Sequence, residues 1–130
     1  MTVQVLVIED HEENRRILRD LLASVHYEML EAMTGEDGLR LAEAHRPDVV
    51  LIDIELPGLD GYEVTRRLKA NPSLRHIPII AVTSYALSGD DRKALEAGCA
   101  AYFAKPYDPM ALLAKIGEYV ASTDHRRRPS

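Results

Sequence analysis

The sequence predicts a doubly wound α/β domain, a five-stranded parallel sheet with five helices divided between its faces. Three observations carry that prediction. Short apolar and β-branched runs alternate with segments whose apolar residues recur at helical spacing. Each pair of successive strands is separated by a helix-length segment, as a parallel crossover requires. The chain of 130 residues is 46% hydrophobic and 28% charged, enough for one domain with a sizeable core.

The elements follow in order. "VQVLVI" (Val3–Ile8) reads as the first strand, rich in β-branched residues. Ile17, Leu18, Leu21, Leu22 and Val25 then share one helical face, with Arg15, Arg16, Arg19 and Asp20 off it. Glu12 and Glu13 suit the start of that helix through its dipole. "YEMLEA" (Tyr27–Ala32) is a second, weaker strand. Thr34-Gly35-Glu36-Asp37 has the form of a capping box, opening a helix that runs to about His45 and is stopped by Pro47. "VVLI" (Val49–Ile52) is a third strand that reads as fully buried, yet it leads straight into the carboxylate of Asp53. Asp60 and Glu63 mark the next helix start and "NPS" its end. "IPIIAVT" (Ile77–Thr83) is the fourth strand, and Ser88 to Asp91 open a fourth helix that Gly98 caps. "AAYFA" is a short fifth strand. Asp108-Pro109 supplies a cap and a first-turn proline to the last helix, on which Leu112, Leu113, Ile116 and Val120 share a face. The domain is expected over residues 1–121, with "STDHRRRPS" (122–130) as a frayed, flexible C-terminal tail.

Charge and composition exclude several function classes. The formal net charge of −5 argues against nonspecific attraction to nucleic acid or an acidic membrane. No apolar run approaches the roughly 20 residues of a membrane span. The N-terminus lacks the basic start of a signal peptide. Cys99 is the only cysteine, so no internal disulfide forms and a reducing, cytoplasmic location fits. His11, His26, His45, His76 and His125 show no ligand spacing and read as surface residues.

Why, then, does a buried strand end on an acid? Doubly wound sheets bind ligands at the carboxyl ends of their strands, near the point where strand order reverses. Glu9 and Asp10 end the first strand, Asp53 the third and Thr83 the fourth, and Lys105 follows the fifth. All emerge at one edge. Periodicity does not reveal strand order, but a flavodoxin-like order of 2-1-3-4-5 makes strands one and three neighbours, so that their carboxylates meet. Two unit charges about 5 Å apart repel by roughly 3 kcal/mol at an effective dielectric near 20. A hard cation such as Mg²⁺ offsets that repulsion. With Lys105 and the Thr83 hydroxyl, the set suits a phosphoryl group in transfer, and Asp53 is the expected nucleophile. Singly, each residue has a plainer reading: an Asp capping a turn, a Thr at a strand end, a surface Lys. The shared edge argues otherwise.

At these residues a resemblance emerges. "VLVIED", "LIDIELPGLDGYEV", "PIIAVTS" and "FAKPYD", in that order and at these spacings, resemble the receiver domains of two-component response regulators, the CheY-like family, over essentially the whole chain. The resemblance implies that Glu9, Asp10 and Asp53 hold Mg²⁺ together with the backbone carbonyl of Glu55. It implies that Asp53 accepts a phosphoryl group from a histidine kinase or histidine phosphotransfer protein, and that Thr83 and Lys105 bind the phosphoryl oxygens. Tyr102 matches the aromatic switch position, although a tyrosine on a short strand is usually core or half-buried surface. Lys105-Pro106 matches a position where the family has a cis peptide. A switch rather than an enzyme is expected, passing its signal through the helix four–strand five–helix five surface to a downstream protein partner. No effector domain is expected after helix five, as in stand-alone receivers of the DivK type. A receiver excised from a hybrid kinase and a homodimer remain open, while a non-phosphorylated scaffold is disfavoured because every expected site residue is present. His11 stands where asparagine is common and Tyr107 where phenylalanine is, and neither is expected to touch the chemistry. Two other classes fit less well. Haloacid-dehalogenase-type phosphatases want D-x-D after the first strand, where this chain has Glu9-Asp10. A flavodoxin-like nucleotide carrier wants amides facing phosphate in its first loop, where "EDHEEN" offers four acids.

Overall fold

The computed structural model describes residues 2–83 and 90–127, with residues 90–91 and 122–127 described by their backbone alone. Strands and helices alternate as β1 (Gln4–Ile8), α1 (Glu12–Ala23), β2 (Glu28–Ala32), α2 (Gly35–His45), β3 (Val49–Asp53), α3 (Gly61–Ala70), β4 (Ile79–Thr83), α4 (Asp90–Ala97), β5 (Ala101–Ala104) and α5 (Pro109–Arg127). The sheet is parallel throughout in the order β2-β1-β3-β4-β5, the expected flavodoxin-like arrangement.

Side chains alternate across the sheet and so build two cores. On one face Leu6, Ile8, Val50, Ile52, Ile79 and Ala81 pack with Ala42 of α2, Val64 and Leu68 of α3 and Ala94 of α4. On the other, Val5, Val7, Val49, Leu51 and Ile80 pack with Leu18 and Leu22 of α1 and Leu112, Ile116 and Val120 of α5. Covered on both sides, β3 and β4 are buried at every position, which accounts for their unbroken apolar runs.

Local chemistry starts and stops the elements. Thr34 Oγ1 accepts the Asp37 amide at 3.1 Å to open α2, and Asp60 Oδ1 accepts the Glu63 amide at 2.9 Å to open α3. Asp108 Oδ1 accepts the Met110 amide at 3.0 Å at the start of α5. Gly98, at φ 114°, turns the chain from α4 toward β5. Gly61 is required for a different reason. A Cβ there would lie 2.7 Å from the Ile54 Cα and 2.8 Å from the Asp53 carbonyl oxygen, so only glycine lets α3 begin against the end of β3.

Several expectations are corrected. Arg15, placed off the apolar face of the first helix, is buried at 6% exposure, whereas Ile17 is 52% exposed. The inward positions of α1 are Arg15, Leu18 and Leu22, at i, i+3 and i+7, with the arginine stem packed and its guanidinium among polar partners. Val25 lies beyond the last residue of α1 and is largely exposed. The helical backbone of α5 extends to Arg127. Strands one, two, four and five begin one or two residues later than read. The start of α4 expected at Ser88 lies outside the described residues. No helix among the described residues is long and apolar enough to cross a membrane.

Candidate functional site

The register assembles the site. Ile8 pairs with Ile52, which sets Glu9 beside Asp53, and Asp53 pairs with Val82, one residue before Thr83. The Lys105 amide donates to the Thr83 carbonyl at 2.7 Å, holding the loop after β5 at the same edge, and the Lys105–Pro106 peptide is cis. Glu9 and Asp53 are 3% and 4% exposed, unusual for carboxylates unless they are paired. Lys105 pairs both. Its Nζ donates to Glu9 Oε1 at 3.0 Å and to Asp53 Oδ2 at 3.2 Å. Glu9 also accepts from the His11 amide at 2.9 Å and from Asn14 Nδ2 at 3.1 Å. Asp53 Oδ1 accepts the Glu55 amide at 2.9 Å. Thr83, buried at the end of β4, donates its hydroxyl to Glu55 Oε1. A cleft of about 290 Å³ opens over these groups, lined by His11, Glu13, Asn14, Asp53, Glu55 and Lys105.

The two buried carboxylates titrate in opposite directions. Burial alone would push Glu9 up. The His11 amide and the hydrogen bond and charge of Lys105 outweigh it and hold Glu9 down at about 2. Burial pushes Asp53 up, the charge of Glu9 adds to that, and the Glu55 amide and Lys105 only partly offset them. Burial disfavours the Lys105 ammonium, but Glu9 and Asp53 together raise its pKa. Lys105 is thus firmly cationic, Glu9 firmly anionic, and Asp53 is the carboxylate that the resting site leaves least compensated.

Glu9, Asp10, His11 and Asp53 each offer one ligand atom within 4.8 Å of the others. Asp10 Oδ1 is buried and accepts no hydrogen bond among the described residues; His11 Nδ1 stands 3.2 Å away without hydrogen-bond alignment. An orphaned carboxylate oxygen in an acidic cluster is what a hard divalent cation satisfies, so these residues fit Mg²⁺. His11 is a surface residue, as the sequence led one to expect. Its ring is exposed, but it lies against Glu9 and Asp10, and its position directly after the acidic pair was the available signal. Asn14, one helical turn after the pair, is the pocket residue that the sequence did not single out.

Tyr102 does not line the cleft. It is half-buried on β5 against the core beneath α2, α3 and α4, on the same side of the sheet as Ala81, its register partner. Thr83, two residues after Ala81, belongs to that side as well. Tyr107 sits edge-to-face with Phe103, ring centroids 6.5 Å apart. It borders an apolar groove of about 520 Å³ that runs from the cleft between Ile17, Leu18, Val82, Pro106 and Pro109.

The doubly wound sheet thus carries an acidic pocket where β1 and β3 stand side by side at its switch point. The response regulator receiver domain model matches residues 5–117, and the chain belongs to that family. Receiver domains are signalling switches of two-component systems and bind Mg²⁺ at an acidic pocket. The chain is 42% identical over 120 residues to the polar-differentiation response regulator DivK of Brucella ovis, covering 92% of this chain and 98% of that protein. It is 35% identical, with a TM-score of 0.86, to the receiver domain of the sensor histidine kinase PA1611 of Pseudomonas aeruginosa, covering 93% of this chain and 99% of that one. That structure holds a magnesium ion in its active-site cleft. A third likeness, 26% identical with a TM-score of 0.86 and covering 94% of this chain and 91% of that one, is a receiver domain from Saccharomyces cerevisiae, crystallised with its histidine phosphotransfer protein.

Proposed function

We propose that Asp53 is the phosphoryl acceptor of a cytoplasmic, single-domain switch, charged by a sensor histidine kinase or a histidine phosphotransfer protein. The observation that carries this is the pairing of buried Asp53 with Lys105 in the cleft formed beside Glu9 and the orphaned Asp10. In the transfer, the P–N bond of a donor phosphohistidine breaks as a P–O bond forms to the Asp53 carboxylate, and the donor imidazole keeps the electron pair and regains a proton. Glu9, Asp10, Asp53 and the Glu55 carbonyl would hold Mg²⁺, which when bound neutralises charge on the phosphoryl oxygens. Lys105, freed from part of its pairing, is placed to take one of those oxygens.

Thr83 then changes partner. Its hydroxyl has one proton to donate, and at rest it gives that proton to Glu55. A phosphoryl oxygen on Asp53 competes for it, and the turn of Thr83 frees volume on the side of the sheet where Tyr102 packs. The α4–β5–α5 surface is remodelled, and a downstream protein partner that prefers the new form shifts the population toward it. The protein is a switch, not an enzyme acting on a separate substrate. A second copy of the chain is a further outcome for that surface.

The test uses a small-molecule acyl phosphate with Mg²⁺. One base-labile phosphoryl group per chain is expected on the wild type and none on Asp53→Asn. Modification of Asp53→Asn at the wild-type rate would place the acceptor elsewhere.

A further inference from the structure

Arg15 is a charged side chain packed almost entirely inside the protein, at 6% exposure, where the apolar face of α1 meets the sheet. Burying a guanidinium costs several kcal/mol unless its donors are satisfied, so its partners report what it holds. Nη1 donates to the main-chain carbonyl of Glu9 at 2.8 Å. Nη2 donates to Glu12 Oε2 at 2.5 Å, and Nε faces Glu31 Oε1 at 3.3 Å. Glu31 is shared with Arg19, whose Nη2 stands 2.6 Å from the same oxygen. The fork therefore ties the end of β1 to the first turn of α1 and to the edge strand β2. Glu9 is the residue whose side chain joins Lys105, Asn14 and the His11 amide in the acidic pocket.

We infer that Arg15 is a positioning residue for the cation pocket, fixing the Glu9 main chain so that the Glu9 and Asp10 carboxylates face Asp53. The inference rests on the reading of that pocket as a Mg²⁺ site. Arg15 does not touch the cleft; its effect passes through the Glu9 carbonyl. A planar fork suits this role because it serves three partners in fixed directions at once, which an ammonium cannot do. Outer-shell contacts of this kind typically set metal affinity over about 10- to 100-fold.

Charge and position predict opposite signs, which makes the inference testable. As a nearby cation, Arg15 opposes Mg²⁺ binding, so its loss would tighten binding by charge alone. As a positioning residue its loss weakens binding. The experiment measures Mg²⁺ affinity by isothermal titration calorimetry on the whole chain for the wild type, Arg15→Met and Arg15→Lys, with amide NMR spectra confirming that each is folded. Arg15→Met should bind Mg²⁺ about 10-fold more weakly, and Arg15→Lys, which keeps the charge but only a single donor nitrogen, about 3-fold more weakly. Phosphorylation by an acyl phosphate at saturating Mg²⁺ should stay within about twofold of wild type in both, because no contact to Asp53 is lost. Should the methionine variant not fold, the lysine variant carries the test, since its net charge is unchanged. Wild-type or tighter Mg²⁺ affinity in either folded variant overturns the positioning role, as does a rate loss at saturating Mg²⁺ with affinity unchanged. A wild-type chain that binds no Mg²⁺ overturns the metal reading and this inference with it.

Discussion

Replacing Lys105 with methionine should destabilise the cation-free protein, and Mg²⁺ should rescue it. The Lys105 Nζ stands 3.0 Å from Glu9 and 3.2 Å from Asp53, and the ligand oxygens of that cluster lie within 4.8 Å of one another. With the ammonium gone, two carboxylates at that separation repel by about 3.5 kcal/mol at an effective dielectric of 20. The chain relieves part of this by protonating Asp53, whose pKa burial and the Glu9 charge already raise. A net loss of about 2 kcal/mol at neutral pH is therefore expected, in the range for a buried charge deprived of its partner. The sign with pH follows from the same group. Because the folded-state pKa of Asp53 lies above its unfolded value, the folded protein holds that proton more tightly, and the associated stability is lost as pH rises through the folded pKa. The variant raises that pKa further, so its deficit should be small near about pH 4 and grow toward neutrality. Urea unfolding followed by circular dichroism across that range, with and without Mg²⁺, measures both quantities. Mg²⁺ should restore most of the loss and bind the variant more tightly than the wild type, since Lys105 no longer competes for the carboxylates. Equal stability of the two proteins at neutral pH without Mg²⁺ would refute the reasoning, as would a Mg²⁺ increment no larger in the variant.

Three further outcomes are expected. Asp10→Asn should lose metal-dependent phosphorylation while folding as well as or better than the wild type, since it removes a charge from a crowded acidic pocket; unchanged Mg²⁺ affinity by calorimetry would move the metal away from Asp10. Thr83→Ala should still accept phosphate yet lose most of the phosphorylation-dependent gain in partner affinity, a coupling of about 1–3 kcal/mol, and Tyr102→Ala should share that loss; if both keep the full gain, the signal leaves Asp53 by another route. Gly61→Ala should cost about 1–3 kcal/mol of unfolding free energy by driving a methyl group into the backbone of Asp53 and Ile54, and a thermal melt matching wild type would show that the junction yields.

Much of this protein could be read along the chain, because the signals concerned are local. The alternation of apolar runs with helical periodicity identified the α/β class, and Thr34, Asp60 and Asp108 announced helix starts that their side chains do cap. The acid ending an apolar strand at Asp53 pointed to the functional edge, since a buried carboxylate needs a reason. What depended on contacts between distant segments was not legible. The order β2-β1-β3-β4-β5 follows from how the helices divide between the two faces, and no periodicity encodes that division. Arg15 looked like a solvent residue because its helical position was judged by polarity, yet a carbonyl at the end of β1 and a carboxylate on β2 made the interior habitable for its guanidinium. Ile17, two positions after Arg15, falls on the outward side of α1. The opposite titration of Glu9 and Asp53 depended on burial, on the amides of His11 and Glu55, and on a lysine 96 residues from one and 52 from the other. Local sequence chose the residue types at each strand end; only folding set the distances between them, and at 3 to 5 Å those distances help hold one carboxylate charged and push the other toward its protonated form.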